Sequence, residues 1–246
     1  MKPEVVRRLI EINRQFYQDF GEAFATTRRR VQPGVRQLLS RWKVTDRILD
    51  LGCGGGQLAR ELAEAGHRGG YLGLDFSLPL LQEAARLPLA YSALFLQADL
   101  TRPEEWQAQV ARAAPFDVIT AFAVLHHIPS HALRLRLLQT VRDLLHPQGL
   151  FYHSEWQFLN SPRLSRRIQP WETVGLSPAE LEEGDYLLDW RHGGRGLRYV
   201  HHFSLSELEQ LASEAGFEIL ETFLSDGENH RLGLYQVWRI SSKAMA

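Results

Sequence analysis

One short segment constrains the fold of this chain more than any other, a glycine-rich turn between an apolar run and an amphipathic run. The turn spans Asp50–Gly56 and reads D-L-G-C-G-G-G, directly after Ile48 and Leu49. Glycine allows positive φ angles and lets the backbone approach a ligand closely. A strand, a glycine turn and a helix in this order predict an α/β sheet that holds a ligand at the helix N-terminus.

Apolar runs and amphipathic runs alternate beyond this turn. The predicted strands are Arg47–Leu51, Gly70–Leu74, Ala93–Ala98, Phe116–Phe122 and Leu150–Glu155, and the predicted helices are Gly56–Ala65, Leu78–Arg86, Pro103–Ala113 and Ser130–Leu145. Such alternation predicts a parallel sheet with helices on both faces. A helix from about Ser204 to Gly216 precedes two strands, Phe217–Leu224 and Leu232–Ile240, whose short connection predicts an antiparallel edge hairpin.

The chain divides into an arm, a main domain and an insertion. Residues 1–45 are predicted to be a helical N-terminal arm or lid, with apolar positions at Leu9, Ile12, Phe16, Phe20 and Phe24. Residues 46–240 form the predicted main domain. Residues 156–202 interrupt it with an irregular stretch, and a long insertion of this kind predicts a cap or a substrate-binding loop.

Composition limits the cellular setting. Cys53 is the single cysteine, which excludes an internal disulfide and favours a reducing, cytoplasmic location. No apolar run reaches the roughly 18 residues of a membrane span, and the N-terminus does not resemble a signal peptide. Residues 1–47 carry eleven Lys or Arg and five Asp or Glu. A basic arm of this kind fits either a polyanionic partner or an ordinary solvated surface.

Carboxylates follow three successive predicted strands. Asp50 precedes the glycine turn, and Asp75 and Asp99 end the next two strands. These positions share one rim of the sheet, where α/β folds bind ligands, and Asp75 is placed to accept both hydroxyls of a ribose. A dinucleotide fingerprint requires a third glycine at the position of Gln57. Asp50 suits a cationic amino acid ligand and repels a pyrophosphate.

The pattern D-x-G-x-G-x-G formed by Asp50, Gly52, Gly54 and Gly56 resembles motif I of the class I S-adenosylmethionine-dependent methyltransferases. The resemblance implies a Rossmann-like seven-stranded fold with S-adenosylmethionine as its cofactor. It also implies that Asp99 accepts a hydrogen bond from the adenine amino group. The cofactor-binding residues that follow from it are Asp50, Gly52, Cys53, Gly54, Asp75, Phe76, Asp99, Leu100, Ala121 and Phe122.

The acceptor side is expected at the end of the fourth strand, where His126 and His127 stand together. Either imidazole is a candidate for a direct chemical role, and either is equally well explained as a loop or structural histidine. A histidine pair also suggests a metal, but without a clear third ligand we expect none. Cys53 is interpreted as a small turn residue because no basic partner is identifiable.

Several segments are similar to the tRNA wobble-uridine carboxymethyl methyltransferases. The matching segments are Phe24–Arg28 with Pro33–Val35, Ala123–Ile128, Leu144–Gly149 and Arg198–Phe203. The resemblance implies a carboxymethyl group on tRNA as the methyl acceptor. It implies a carboxylate clamp by Arg28 and, as an alternative to core packing, a base-stacking role for Tyr199, Trp156 or Trp190. Departures at Gln32 and Gly55 leave the acceptor open.

Arginines supply the phosphate contacts that such a tRNA complex needs. One set lies in the arm and the other in the insertion: Arg29, Arg30, Arg36 and Arg41, then Arg163, Arg166, Arg167, Arg191, Arg195 and Arg198. Acidic residues balance the second set in number, which also fits a plain surface. Two alternatives to tRNA stay open, a methyltransferase for a small-molecule metabolite and a non-catalytic cofactor-binding subunit with a partner protein.

Overall fold

A computed structural model describes residues 1–26 and 30–242 of the chain. Its strands are β1 (Ile48–Leu51), β2 (Tyr71–Asp75), β3 (Ala93–Gln97), β4 (Phe116–Phe122), β5 (Leu145–Trp156), β6 (Ile168–Gln169), β7 (Asp185–Trp190), β8 (Gly196–His201), β9 (Phe217–Ser225) and β10 (Gly233–Ile240). Its α-helices are α1 (Pro3–Thr26), α2 (Pro33–Leu39), α3 (Gln57–Glu64), α4 (Leu78–Ala84), α5 (Pro103–Val110), α6 (His131–Leu144), α7 (Pro162–Ser165) and α8 (Leu205–Ala215).

Seven strands form the main sheet in the order β3-β2-β1-β4-β5-β10-β9. The first five are parallel, and β10 runs antiparallel to both of its neighbours. The predicted mixed sheet with an antiparallel edge hairpin is therefore confirmed. Strand β5 begins five residues earlier than predicted, at Leu145, because a register shift against β4 accommodates the intervening Pro147–Gly149 segment.

The prediction that residues 156–202 are irregular is wrong. This insertion holds β6, β7 and β8, which form a separate antiparallel sheet. Polar residues at buried strand positions hid the pattern, because Asp185 and Arg198 are buried inside it rather than exposed. The Arg198 guanidinium lies over the rings of Trp156, at 4.6 Å, and Trp190, at 5.6 Å.

Buried ion pairs attach this small sheet to the main domain. The fully buried Arg134 of α6 lies 2.7 Å from Glu182, which precedes β7, and 3.4 Å from Glu207 of α8. His201 of β8 lies 2.8 Å from Asp185 and 2.9 Å from Glu207. Removing one member of a buried pair leaves a charge without compensation. The network therefore ties the insertion to helices α6 and α8.

Helix α1 packs between the small sheet and the rim of the large one. Its buried apolar stripe of Val5, Leu9 and Ile12 contacts Leu187 and Tyr199 of the small sheet. The predicted helical character of the arm is confirmed within the described residues. None of the helices in residues 1–26 and 30–242 is long and apolar enough to cross a bilayer.

Helix α2 lies against the main sheet through a glycine. The Gly34 amide donates to Asp226 Oδ1 over 3.0 Å, and the Tyr235 hydroxyl donates to the other oxygen of the same carboxylate. A Cβ on Gly34 would stand 2.3 Å from the Tyr235 ring. This close approach places the start of α2 against β10.

Gly34→Ala is expected to lower the free energy of unfolding by about 1–3 kcal/mol, because the added methyl overpacks against Tyr235. Gly70→Ala is the matched control, since a Cβ there meets no atom within 4 Å. Urea unfolding of the two variants checks the prediction. Equal midpoints for both would show that the Gly34 contact is not tight.

Candidate active site

A cavity of about 300 Å³ opens at the carboxyl ends of the parallel strands. The glycine turn after β1 and the ends of β2 and β4 line one side, and α1 with residues 30–35 line the other. Ligand pockets of α/β sheets lie at this rim, and the volume falls at the lower end of the usual range for small-molecule sites.

The glycine turn adopts the backbone that its sequence predicts. Gly52, Gly54 and Gly56 have φ angles of 72°, 53° and 77°. A Cβ on Gly52 would lie 2.5 Å from Val124 Cγ2. The amides of Gly52 and Cys53 donate to Leu74 O at the end of β2, over 2.7 and 3.0 Å. Any side chain at position 52 would be strained and would push into the cavity wall.

Two carboxylates, those of Asp50 and Asp75, make hydrogen bonds at the glycine turn. Asp50 accepts hydrogen bonds of 2.6 Å from the Tyr71 and Thr120 hydroxyls. Burial raises the pKa of Asp50 to about 6, partly offset by these two donors. Asp75 accepts from the Gly54 amide over 2.9 Å, and burial raises its pKa as well.

The third carboxylate, Asp99, joins the sheet to the arm. Its Oδ1 accepts from the Thr101 amide and hydroxyl over 2.9 and 2.6 Å. Its Oδ2 lies 3.2 Å from Arg14 of α1. Arg14 thus places a positive charge beside Asp99, the carboxylate that the family resemblance assigns to adenine.

Helix α1 lines one side of the cavity with polar side chains. Asn13 donates to His127 O over 3.3 Å and accepts from the Tyr199 amide over 2.8 Å. The Tyr17 hydroxyl lies 3.0 Å from His127 Nε2. Ile10 and Arg14 complete this face. These contacts hold the helix across the strand ends rather than out in solvent.

His127 and His126 occupy different environments. His127 lines the cavity, and its Nδ1 lies 3.3 Å from Tyr199 O. Since a carbonyl only accepts, Nδ1 carries the proton in this contact, and Nε2 faces the Tyr17 hydroxyl. His126 is 1% exposed and points away, toward Glu155 at 3.0 Å. His126 is therefore not among the residues that line the cavity, and its direct chemical role stays a prediction.

Two other predicted positions lie in the core. Tyr199 is fully buried, and its hydroxyl donates to Asp185 over 2.8 Å, so it packs in the core and does not stack a ligand. Ala121 is fully buried in the main core and does not reach the cavity. Arg28 lies outside the described residues, as does Arg29.

The other predicted cofactor residues line the cavity together: Asp50, Gly52, Cys53, Gly54, Asp75, Phe76, Asp99, Leu100 and Phe122. Sequence reasoning missed Asn13, Tyr17, Ser154 and Tyr235, which also line it. Asn13 and Tyr17 stand four residues apart, on the polar side of the α1 stripe. That spacing was the available signal, since positions i and i+4 share a helix face.

Comparisons with known proteins agree with this geometry. The family model described as a methyltransferase domain matches residues 21–222. The chain belongs to that methyltransferase family. A provisionally named methyltransferase of Encephalitozoon cuniculi is 26% identical over 84% of this chain and 87% of its own length. A ubiquinone biosynthesis O-methyltransferase of Aromatoleum aromaticum is 34% identical over 71% of this chain and 65% of its own length.

Solved structures share the fold. An S-adenosylmethionine-dependent methyltransferase of Methanosarcina mazei superposes with a TM-score of 0.64 at 22% identity, covering 87% of this chain and 100% of that one. The 1,6-didemethyltoxoflavin-N1-methyltransferase of Burkholderia thailandensis, with bound S-adenosylhomocysteine, gives 0.61 at 18% identity, over 98% and 92%. The solved structures thus share the fold of this chain, which the family model assigns to the methyltransferases.

The buried Asp50 predicts a specific pH dependence. Its pKa is about 6 in the folded state against an ordinary value of 3.8, so its favourable contribution is present below about pH 4 and is lost as the pH rises through 6. From about pH 4 to pH 7, wild type should lose about 2 kcal/mol of unfolding free energy relative to Asp50→Asn. Urea unfolding across this range measures the difference.

The exposed Asp143→Asn is the control for removing a carboxylate. A difference between wild type and Asp50→Asn that stays constant with pH would contradict the raised pKa.

Proposed function

We propose that this methyltransferase acts on a small molecule that carries an ionisable hydroxyl, with His127 as the general base. The observation that carries the proposal is the cavity beside α1, where the Tyr17 hydroxyl lies 3.0 Å from His127 Nε2 at the strand ends. An acceptor with a proton needs a base at the acceptor atom, unlike a carboxylate acceptor.

The rim residues fit S-adenosylmethionine. The positive-φ glycine turn leaves the backbone open at the cavity, and carboxylates of the right chemistry stand at three strand ends. Asp75 would hold the ribose hydroxyls and Asp99 the adenine amino group. Asp50 would favour the cationic amino acid portion. When bound, the cofactor supplies an electrophilic methyl group.

His127 would accept the proton at Nε2. The Tyr199 carbonyl fixes the Nδ1–H tautomer, so the Nε2 lone pair points into the cavity toward the Tyr17 hydroxyl. An acceptor hydroxyl in that position would replace the Tyr17 donor. General-base catalysis of this kind contributes roughly 100- to 10,000-fold in rate.

Aromatic rings in the cavity wall suit a planar organic acceptor. The Tyr17 ring lies 5.7 Å from the His127 imidazole, and Phe122 and Tyr235, whose rings lie 6.2 Å apart, line the same cavity. Arg30 stands at the same cavity. The O-methyl transfer named for the A. aromaticum relative supports an oxygen acceptor, though only about half to two thirds of the length of such relatives is matched.

The tRNA acceptor stays a prediction with less support from the geometry. Arg14, Arg36 and Arg41 pair with Asp99, Glu61 and Glu221 rather than standing free for phosphates. In the insertion, Arg191 pairs with Asp189, and Arg198 and Trp190 are buried. A surface of paired arginines offers fewer counterion-releasing contacts.

Asp75→Ala is expected to weaken S-adenosylhomocysteine binding at least tenfold, because the ribose hydroxyls lose their acceptor and the Gly54 amide loses its partner. Isothermal titration calorimetry measures the affinity. Glu64→Ala, at the exposed end of α3, is the control. An unchanged affinity for Asp75→Ala would refute the ribose assignment.

His127→Gln is expected to lower the rate of methyl transfer to catechol or 3,4-dihydroxybenzoate by roughly 100-fold or more, with S-adenosylhomocysteine affinity unchanged. Counting the tritiated methyl group transferred from labelled cofactor to the extracted phenol gives the rate, and calorimetry gives the affinity. The exposed His192→Gln is the control. If neither phenol is a substrate while tRNA accepts the label, the proposed acceptor class is wrong.

A further inference from the structure

Hydrogen bonds to strand β5 hold the loop that carries His127. It leaves β4 through Ala123, a non-glycine residue with a φ of 58°, and continues into a 3-10 turn, Leu125–His127. Left-handed backbone at a residue with a side chain persists only where the surroundings impose it. The Ala123 amide donates to Ser154 O over 3.0 Å and to Ser154 Oγ over 3.1 Å.

The next residue of β5 holds the other end of the loop. A 3-10 turn begins with amides that have no partner in the turn, and the side chain of Val124, which precedes it, is apolar. Glu155 Oε2 accepts from the His126 amide over 3.1 Å. A side chain from the neighbouring strand β5 therefore accepts the hydrogen bond that an N-cap side chain accepts in an ordinary helix.

Glu155 is placed where a carboxylate is costly. It is 1% exposed and lies between two buried imidazoles, with His126 Nδ1 and His153 Nδ1 each 3.0 Å from its oxygens. Burial raises the pKa of Glu155 well above its usual range. A buried polar group of this cost is retained where its hydrogen bonds fix a geometry.

We propose that Glu155 is a positioning residue for His127, which it orients toward the cavity by capping the turn that both histidines share. The inference rests on the proposed role of His127. It assigns the Ser154–Glu155 end of β5 to the reaction although Glu155 does not line the cavity. Glu155 acts through the backbone of His126, one residue before the imidazole concerned.

The test combines nuclear magnetic resonance with turnover. Histidine labelled with ¹⁵N is incorporated into wild type, Glu155→Met and Glu155→Gln, and the His127 signals are assigned with His127→Gln. Methionine has a similar length and no acceptor, whereas glutamine keeps an acceptor oxygen. Leu144→Ala controls for lost stability, because Leu144 is a buried residue at the end of α6, directly before β5 and away from the cavity.

Glu155→Met is expected to change the ratio of the Nδ1–H and Nε2–H tautomers of His127. It is also expected to lower turnover of 3,4-dihydroxybenzoate at least tenfold. S-adenosylhomocysteine affinity should stay within twofold, and Glu155→Gln should lose less turnover than Glu155→Met. His127 signals in Glu155→Met that match those of Leu144→Ala and wild type would overturn the proposal. So would an equal loss of turnover in Leu144→Ala at equal loss of melting temperature.

The resonance measurement separates this inference from the proposed function. If Glu155→Met unfolds, the His127 signals of Glu155→Gln are measured in its place, with Leu144→Ala as the reference. His127 signals in Glu155→Gln that match wild type would support retained capping. A His127→Gln enzyme with full turnover would sink the general-base proposal. The tautomer shift in Glu155→Met would still show that Glu155 positions His127.

Discussion

The packing of α1 across the strand ends is the contact on which the rest of this site depends. One face of the helix buries Val5, Leu9 and Ile12 against the small sheet, and the flank beside that face brings Asn13 and Tyr17 to the cavity. Burial of the apolar face supplies the driving force, which the polar contacts alone would not. Without the small sheet the helix would lose this apolar partner.

Charge is unevenly distributed around the cavity. Asp50, Asp75 and Asp99 all line it, and burial raises the pKa of the first two. Arg14 reaches from α1 to Asp99. His127 lines the same cavity, and the Tyr17 ring lies 5.7 Å from its imidazole and 6.0 Å from the Phe76 ring. The carboxylates suit a cationic, electrophilic methyl donor, and the imidazole suits a group that must lose a proton.

Local chemistry made the cofactor side predictable from the sequence. The glycine turn and Asp75 act within one βαβ unit, so spacing along the chain was sufficient. The acceptor side was harder, because His126 and His127 are neighbours whose roles differ through Glu155 and Tyr199, both distant in sequence. The small sheet was missed because buried ion pairs place polar residues at strand positions, which breaks the alternation that predicts a strand.

The position of α1 across the strand ends supports a small molecule as the methyl acceptor. Purified protein is incubated with S-adenosyl-[methyl-³H]methionine and an extract of cells that lack the protein, the unreacted cofactor is removed, and the label is then measured separately in tRNA nucleosides and in the remaining small molecules. Label is expected in the small molecules, with the amount falling sharply in His127→Gln. Label in tRNA nucleosides and none in small molecules would contradict the proposed acceptor.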